Sequence, residues 1–373
     1  DVLVDAPLYR LEGVKPEGLD ALQAYDLAGL PFPDETANAV LLRLLASPNI
    51  ASKESVYRQY DHQVMTNTVI GPGGDAAVLR IKESKRGLAM STDGNGRYCF
   101  LDPHVGGMIA VAEACRNVAV VGAEPVALTD CLNFGNPERP EVMGQFVGCI
   151  EGMAEACRAL DYPVISGNVS FYNETEGLGI LPTPAIGGVG LIADIDRMAR
   201  IAFADADEHI LLIGETKGHL DASIYAREML GREDGPPPPV DLAVERRNGD
   251  FVRRLIEAKR IRTCHDISDG GLLVAVAEMS LASLAEGRQL GAIIDIPESE
   301  CPLHAWLFGE DQARYLVTAK DADAVIERAR EAGIFIAPVG RTGGDAITGP
   351  EMSASLADLR DANERFFREW MGN

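Results

Sequence analysis

From residue 64 onward the chain alternates short strand-like runs with long amphipathic stretches, and that alternation constrains its fold more than any other feature. Strand-like segments lie at 64–70, 76–81, 87–93, 124–134, 185–194, 209–216 and 312–319. Between them, 104–122, 140–160, 242–259 and 321–333 read as helices, and 265–282 reads as a loop opening a helix. In 140–160 the apolar residues fall at 142, 143, 146, 147, 150 and 153, a helical period. Upstream, 36–50 has helical spacing and stops at Ser47-Pro48-Asn49, and 51–60 reads as a second short helix. Strands interleaved with helices predict mixed α/β domains. The pattern changes near residue 197. The expected division is a connecting arm and helix (1–50), a first domain (51–197), a second domain (198–345) and a C-terminal tail (346–373).

The 373 residues are 46% hydrophobic, enough for two cores of ordinary size. The formal charge of -23 and the absence of a basic cluster argue against nucleic-acid binding. An acidic protein that binds phosphates needs local devices: glycine-rich loops, helix N-termini or a bridging cation. The seven cysteines form no C-x-x-C pair, which disfavours a zinc site or a disulfide framework and suits a reducing cytosol. No apolar run reaches membrane-spanning length. The chain opens on "DVLVDAPLYR" without a Met, as expected of a piece of something longer.

Three stretches carry candidate chemistry. In "STDGNGRYCFLDPHVGG" (91–107), Asp93 ends a strand-like run beside Gly94 and Gly96, with Arg97 close behind. A carboxylate there suits Mg²⁺, although a plain D-G-N-G turn with a surface salt bridge explains the pattern as well. In "ALTDCLNFGNPERPE" (127–141), Asp130 also ends a strand-like run, and an Asx turn is the competing explanation. "PVISGNVSFYNETEG" (163–177) is more specific. Its apolar start breaks at Ser166 into a polar turn in which Gly167 permits close approach, Asn168 offers an amide oxygen and Ser170 a hydroxyl. Elsewhere, Asp266 and Asp269 in "HDISDGG" read as helix N-caps, "GETKGHLDAS" (214–223) as a generic anion-binding arrangement, and Glu310 and Arg314 as structural. There is no P-loop, dinucleotide fingerprint or G-x-S-x-G elbow.

Taken in order, "SKESVYRQYDHQV", "GPGGDAAVLR", "TDGNGRYCFLDPHVGG", "AVAEACRNVAVVGAEPVALTDCLNFGNPERPE", "PVISGNVSFYNE", "PTPAIGGVGLIAD" and "HDISDGGL" resemble the C-terminal half of the small bacterial phosphoribosylformylglycinamidine synthases. These belong to the aminoimidazole ribonucleotide synthetase-like superfamily. The resemblance covers nearly the whole chain. It implies an α/β half with a dimerising N-terminal-type domain and a C-terminal-type α/β domain, paired with an N-terminal half as a pseudo-dimer. It also implies an ATP- and Mg²⁺-dependent ligase of purine biosynthesis, in the cytoplasm. Such an enzyme phosphorylates the amide oxygen of formylglycinamide ribonucleotide and lets ammonia displace the phosphate. A glutaminase subunit and a small third subunit are the implied partners. Residue by residue, the resemblance assigns Asp130 and Gly167 to ATP, Asn168 to Mg²⁺ and Ser170 to the ribonucleotide. Asp93 becomes a candidate for an auxiliary nucleotide site. No catalytic residue is expected, because the "ESHNH" motif is absent and "STDGNGRY" stands at the pseudo-symmetric place. "GHLDAS" departs from the family's glycine pair after Leu220. Two alternatives remain: a non-catalytic nucleotide-binding or scaffolding half, or another ATP-using enzyme of the superfamily.

Overall fold

The computed structural model describes residues 11–24, 34–298, 300–350 and 352–372. Parts of the expected connecting arm, 1–10 and 25–33, lie outside the described residues.

The first sheet has the order β1 (Thr68–Ile70), β2 (Ala77–Arg80), β3 (Gly87–Asp93), β8 (Thr183–Ile192), β4 (Glu124–Asn133), β5 (Val164–Ser170). Every pairing is antiparallel except β4 with β5. That parallel pair requires a crossover, supplied by α6 (Pro140–Leu160). Helix α5 (Pro103–Val120) lies beside α6, after α4 (Gly96–Leu101). Together they cover one sheet face, packing Val111, Ala114, Cys149, Met153 and Ala156 against Leu128, Leu132 and Ile186. A hairpin of β6 (Glu174–Thr175) and β7 (Leu178–Gly179) projects after β5, turning through Glu176 and Gly177 at φ 53° and 80°.

The buried face of α6 departs from its apolar stripe. Val147 and Ile150 are exposed, while Gln145, Cys149, Gly152, Met153 and Ala156 are buried. Close approach of the helices explains this. A Cβ on Gly152 would stand 1.9 Å from the His104 carbonyl oxygen, and one on Gly107 would stand 2.4 Å from that of Cys149.

The second sheet has the order β10 (Thr263–Asp266), β12 (Tyr315–Ala319), β9 (His209–Ile213), β13 (Ile336–Thr342), β11 (Ala292–Ile294), β14 (Ala346–Gly349), β15 (Met352–Ser355). One face packs on α9 (Gly271–Ala285), α10 (Leu303–Phe308), α12 (Leu356–Trp370) and α2 (Ala37–Leu45), whose Val40, Leu41, Leu44 and Leu45 are fully buried. The other face packs on α8 (Leu242–Glu257) and α11 (Ala322–Glu331), and also on Val118, Val120 and Val121 at the end of α5. Helix α5 is therefore wedged between both sheets, which explains why it is apolar almost all round. The remaining helices are short: α1 (Leu19–Gln23), α3 (Glu54–Tyr57) and α7 (Ile224–Leu230). Asp241 caps α8 by accepting from the Ala243 and Val244 amides.

Several local expectations need correction. Strand β5 does not break at Ser166 but runs through Ser170. Residues 64–67 are not extended, and β1 begins at Thr68. After the D-G-N-G stretch, residues 96–101 form α4, capped by the Asn95 side chain, a helix the sequence pattern did not announce. Asp266 and Asp269 do not cap α9. Its N-cap is Gly270, whose φ of 78° suits glycine, and Asp266 is drawn into an ion pair instead.

Candidate functional site

The parallel register of β4 and β5 sets Asp130 against Gly167, Cys131 against Asn168 and Asn133 against Ser170. Register partners share a sheet face, and faces alternate along each strand. Asp130 therefore points with Leu128 and Leu132 toward α6, whereas Asn168 and Ser170 point from the opposite, uncovered face. The Asp130 carboxylate lies over Gly167: a Cβ there would stand 2.2 Å from Asp130 Oδ1. Partial burial raises the Asp130 carboxyl above its ordinary range. Asn168 is exposed, and Ser170 Oγ donates to Asn173 Oδ1 at 3.3 Å. The structure thus joins Asp130 with Gly167 and Asn168 with Ser170, without converging all four on one point. Strand β5 is exposed on both faces and paired on one edge, with Val164, Ile165 and Val169 at 46%, 70% and 49% exposure.

Asp93 belongs to a different place. It ends β3 and accepts from Asn117 Nδ2 of α5 at 2.9 Å. Burial, with the Asp266 charge adding to it, pushes its carboxyl up to about 7. Both groups line a cavity of 920 Å³ with Asp75, Glu113, His265 and Asp266. One ligand atom each from Asp75, His265 and Asp266 lie within 4.8 Å of one another. The His265 ring bridges Asp75 at 2.6 Å and Glu278 at 3.0 Å. Burial opposes its charge, but these two carboxylates more than offset that and raise its pKa well above the ordinary value. Burial pushes Asp75 up to about 6 despite the neighbouring imidazole, and it also raises Glu113 strongly.

The cavity suits a hard divalent cation. Asp93 Oδ2 and Asn117 Oδ1 are buried without a hydrogen-bond partner, and Asn117 is 7% exposed. Carboxylate and amide oxygens are the donor set of Mg²⁺ or Mn²⁺. Sequence reading picked out only Asp93. Glu113 and Asn117 stand four apart in a largely apolar helix, so polar residues on its buried face were the available signal. Asp75 was hidden in a glycine turn and Asp266 in an apparent cap.

Two other motifs resolve as structure. Lys217, Gly218 and His219 present their amides not to a free anion but to the Asp311 carboxylate, at 2.9–3.3 Å. The Arg97 guanidinium pairs with Glu233 at 2.9 Å. Glu310 accepts from Tyr98 Oη and from the Ile224 and Gly270 amides, joining the two units. None of the seven cysteines forms a disulfide. Among the described residues, no helix is long and apolar enough to cross a membrane.

Comparisons with known proteins agree with this architecture. Residues 73–192 match the family "AIR synthase related protein, N-terminal domain", and 205–351 match "AIR synthase related protein, C-terminal domain". The phosphoribosylformylglycinamidine synthase subunit PurL of Rhodopseudomonas palustris is 53% identical over 371 residues, covering 99% of this chain and 49% of the relative. That of Parvibaculum lavamentivorans is 54% identical over 363 residues, covering 96% and 47%. The chain thus spans about half the length of the curated relatives it matches. Among solved structures, T. maritima PurL complexed with FGAR superposes with a TM-score of 0.73 at 18% identity, over 89% of this chain and 54% of that one. T. maritima PurL complexed with ATP gives 0.65 at 18% identity, over 87% and 53%. At that identity the likeness speaks for the fold.

Proposed function

The chain belongs to the AIR synthase related protein family, and from that premise we propose that it is one half of an ATP-dependent phosphoribosylformylglycinamidine synthase of purine biosynthesis, a cytoplasmic ligase. Such an enzyme converts formylglycinamide ribonucleotide, ammonia and ATP into the amidine, ADP and phosphate. The half contributes Asp130 and Gly167 to ATP, Asn168 to Mg²⁺ and Ser170 to the ribonucleotide, at a site completed by an N-terminal half. A glutaminase subunit supplies the ammonia, and a small third subunit completes the complex.

The observation that carries this reading is strand β5. It bears Gly167, Asn168 and Ser170, yet among the described residues it is uncovered on both faces and unpaired along one edge. An apolar edge strand left bare in this way is normally covered by another body. A site built on it is accordingly half a site. The cavity around Asp93 is a second, non-catalytic nucleotide position. There Asp75, Asp93, Glu113, Asn117 and Asp266 hold a divalent cation that neutralises phosphate charge in an acidic protein.

Alone, the chain should release no phosphate above background when given ATP, Mg²⁺, ammonia and the ribonucleotide. Joined to an N-terminal half that carries the missing His-rich motif, it should turn over. Substrate-dependent turnover by the isolated chain, or none by the joined protein, would refute the assignment.

A further inference from the structure

One of the most deeply buried charges among the described residues is not among the groups assigned above. Arg116 stands on α5, its side chain wholly excluded from solvent. It reaches out of the first unit into the second. Its Nε donates to Asp266 Oδ2 of β10 at 2.9 Å, and its Nη1 to Glu245 Oε1 of α8 at 2.8 Å and to Gln312 Oε1 at 3.2 Å. The two carboxylates are each 3% exposed. Its Nη2 is buried without a hydrogen-bond partner, and the bonds that Nε and Nη1 make all run to side chains of the second unit, so a role can be exerted through the groups it holds.

One of those groups lines the cation cavity. Arg116 takes Asp266 Oδ2, leaving Oδ1 on the side of His265, 3.8 Å from its Nδ1. A free carboxylate in a dry pocket can rotate between one-oxygen and two-oxygen coordination. One pinned by a guanidinium offers a single oxygen in a fixed direction.

We propose that Arg116 is the positioning residue of this cavity: it orients Asp266 as a one-oxygen cation ligand and ties cation binding to the junction of the two units. The proposal rests on the cavity being a cation-assisted nucleotide position. Partners that hold a metal ligand in place typically matter ten- to a hundredfold in affinity. Lysine preserves the charge but not the fork, and one ammonium cannot serve Asp266 and Glu245 along their separate directions.

The test titrates this chain with Mn²⁺ alone and follows the free ion by electron paramagnetic resonance, with a melting curve for each variant. Arg116→Lys should weaken Mn²⁺ binding about tenfold. Glu245→Gln disturbs the same buried network but leaves the Arg116–Asp266 bond, and should stay within about twofold of wild type. Unchanged binding in folded Arg116→Lys overturns the role of Arg116 while sparing the cavity. A tenfold loss in Glu245→Gln also overturns it, since general disruption would then suffice, even if Arg116→Lys does not fold. Wild-type protein without affinity for Mn²⁺ overturns the cation reading and this inference together.

Discussion

At the scale of single residues, the roles proposed for Asn168 and Ser170 rest on what a neutral group can do in an acidic protein. The triphosphate must approach a chain of charge -23, so it needs a cation, and every carboxylate ligand adds repulsion. An amide oxygen ligates Mg²⁺ without that penalty. In a complete enzyme carrying this half, Asn168→Ala should cost on the order of 1–3 kcal/mol in Mg²⁺·ATP binding. Raised Mg²⁺ should partly restore activity. Ser170→Ala should instead raise the apparent KM for the ribonucleotide and leave that for ATP nearly unchanged. Titrations in which both variants match wild type would reduce β5 to a structural strand. These residues were legible because they are clustered in one stretch. The cavity residues were not, because Asp75, Glu113, Asn117 and Asp266 come from a turn, a helix and a strand that only the fold brings together. Bare spacing gave no reason to prefer a ligand over a cap at Asp266; the decisive fact is Arg116, a hundred and fifty positions away.

At the scale of elements, the α5–α6 contact sets where those residues sit. Glu113, Arg116 and Asn117 project from α5, so its distance from the first sheet and from α6 fixes their reach. The contact is made by glycines. Gly152 meets the His104 carbonyl and Gly148 the Pro103 ring, where a Cβ would fall at 1.9 and 2.9 Å. Alanine in a helix is ordinarily worth up to about 1 kcal/mol over glycine. Here the added methyl meets backbone, so the helices must part. Gly152→Ala should therefore destabilise the chain, by about 1–3 kcal/mol net, read as a lower melting temperature. A higher one would show that the contact is looser than it looks. The long elements α5, α6, β4 and β8 were legible in the sequence, α6 from its helical period. The limits of β5 were not, because a strand bare on both faces shows no in–out alternation, and its polar residues imitate a turn. Nor was the buried side of α6, since its tightest contacts use the smallest residues and leave Val147 and Ile150 outside. Strands β11, β14 and β15 are too short to carry a period of their own.

At the scale of the whole molecule, two well-formed cores coexist with one unfinished edge. The second sheet is covered on both faces, and α5 is clamped between the units. By contrast, the free side of β5, the outward Val126 of β4 and the hairpin residues Leu178, Ile180 and Leu181 form apolar surface with no cover among the described residues. Open backbone donors and acceptors beside exposed Val164, Ile165 and Val169 make an adhesive edge, because strand pairing satisfies the backbone and buries the side chains in one step. In a longer enzyme an N-terminal half would take that place. Without it, a second copy offers the nearest equivalent surface, and a two-fold pairing would set β5 against its own mate. The isolated chain should therefore self-associate as its concentration rises, with sedimentation velocity shifting from monomer to dimer. Ile165→Lys places a charge on the adhesive edge and should return the chain to monomer while leaving its melting temperature nearly unchanged, since Ile165 is 70% exposed. A chain that stays monomeric at high concentration, or a dimer indifferent to Ile165→Lys, would place the missing cover elsewhere on the surface.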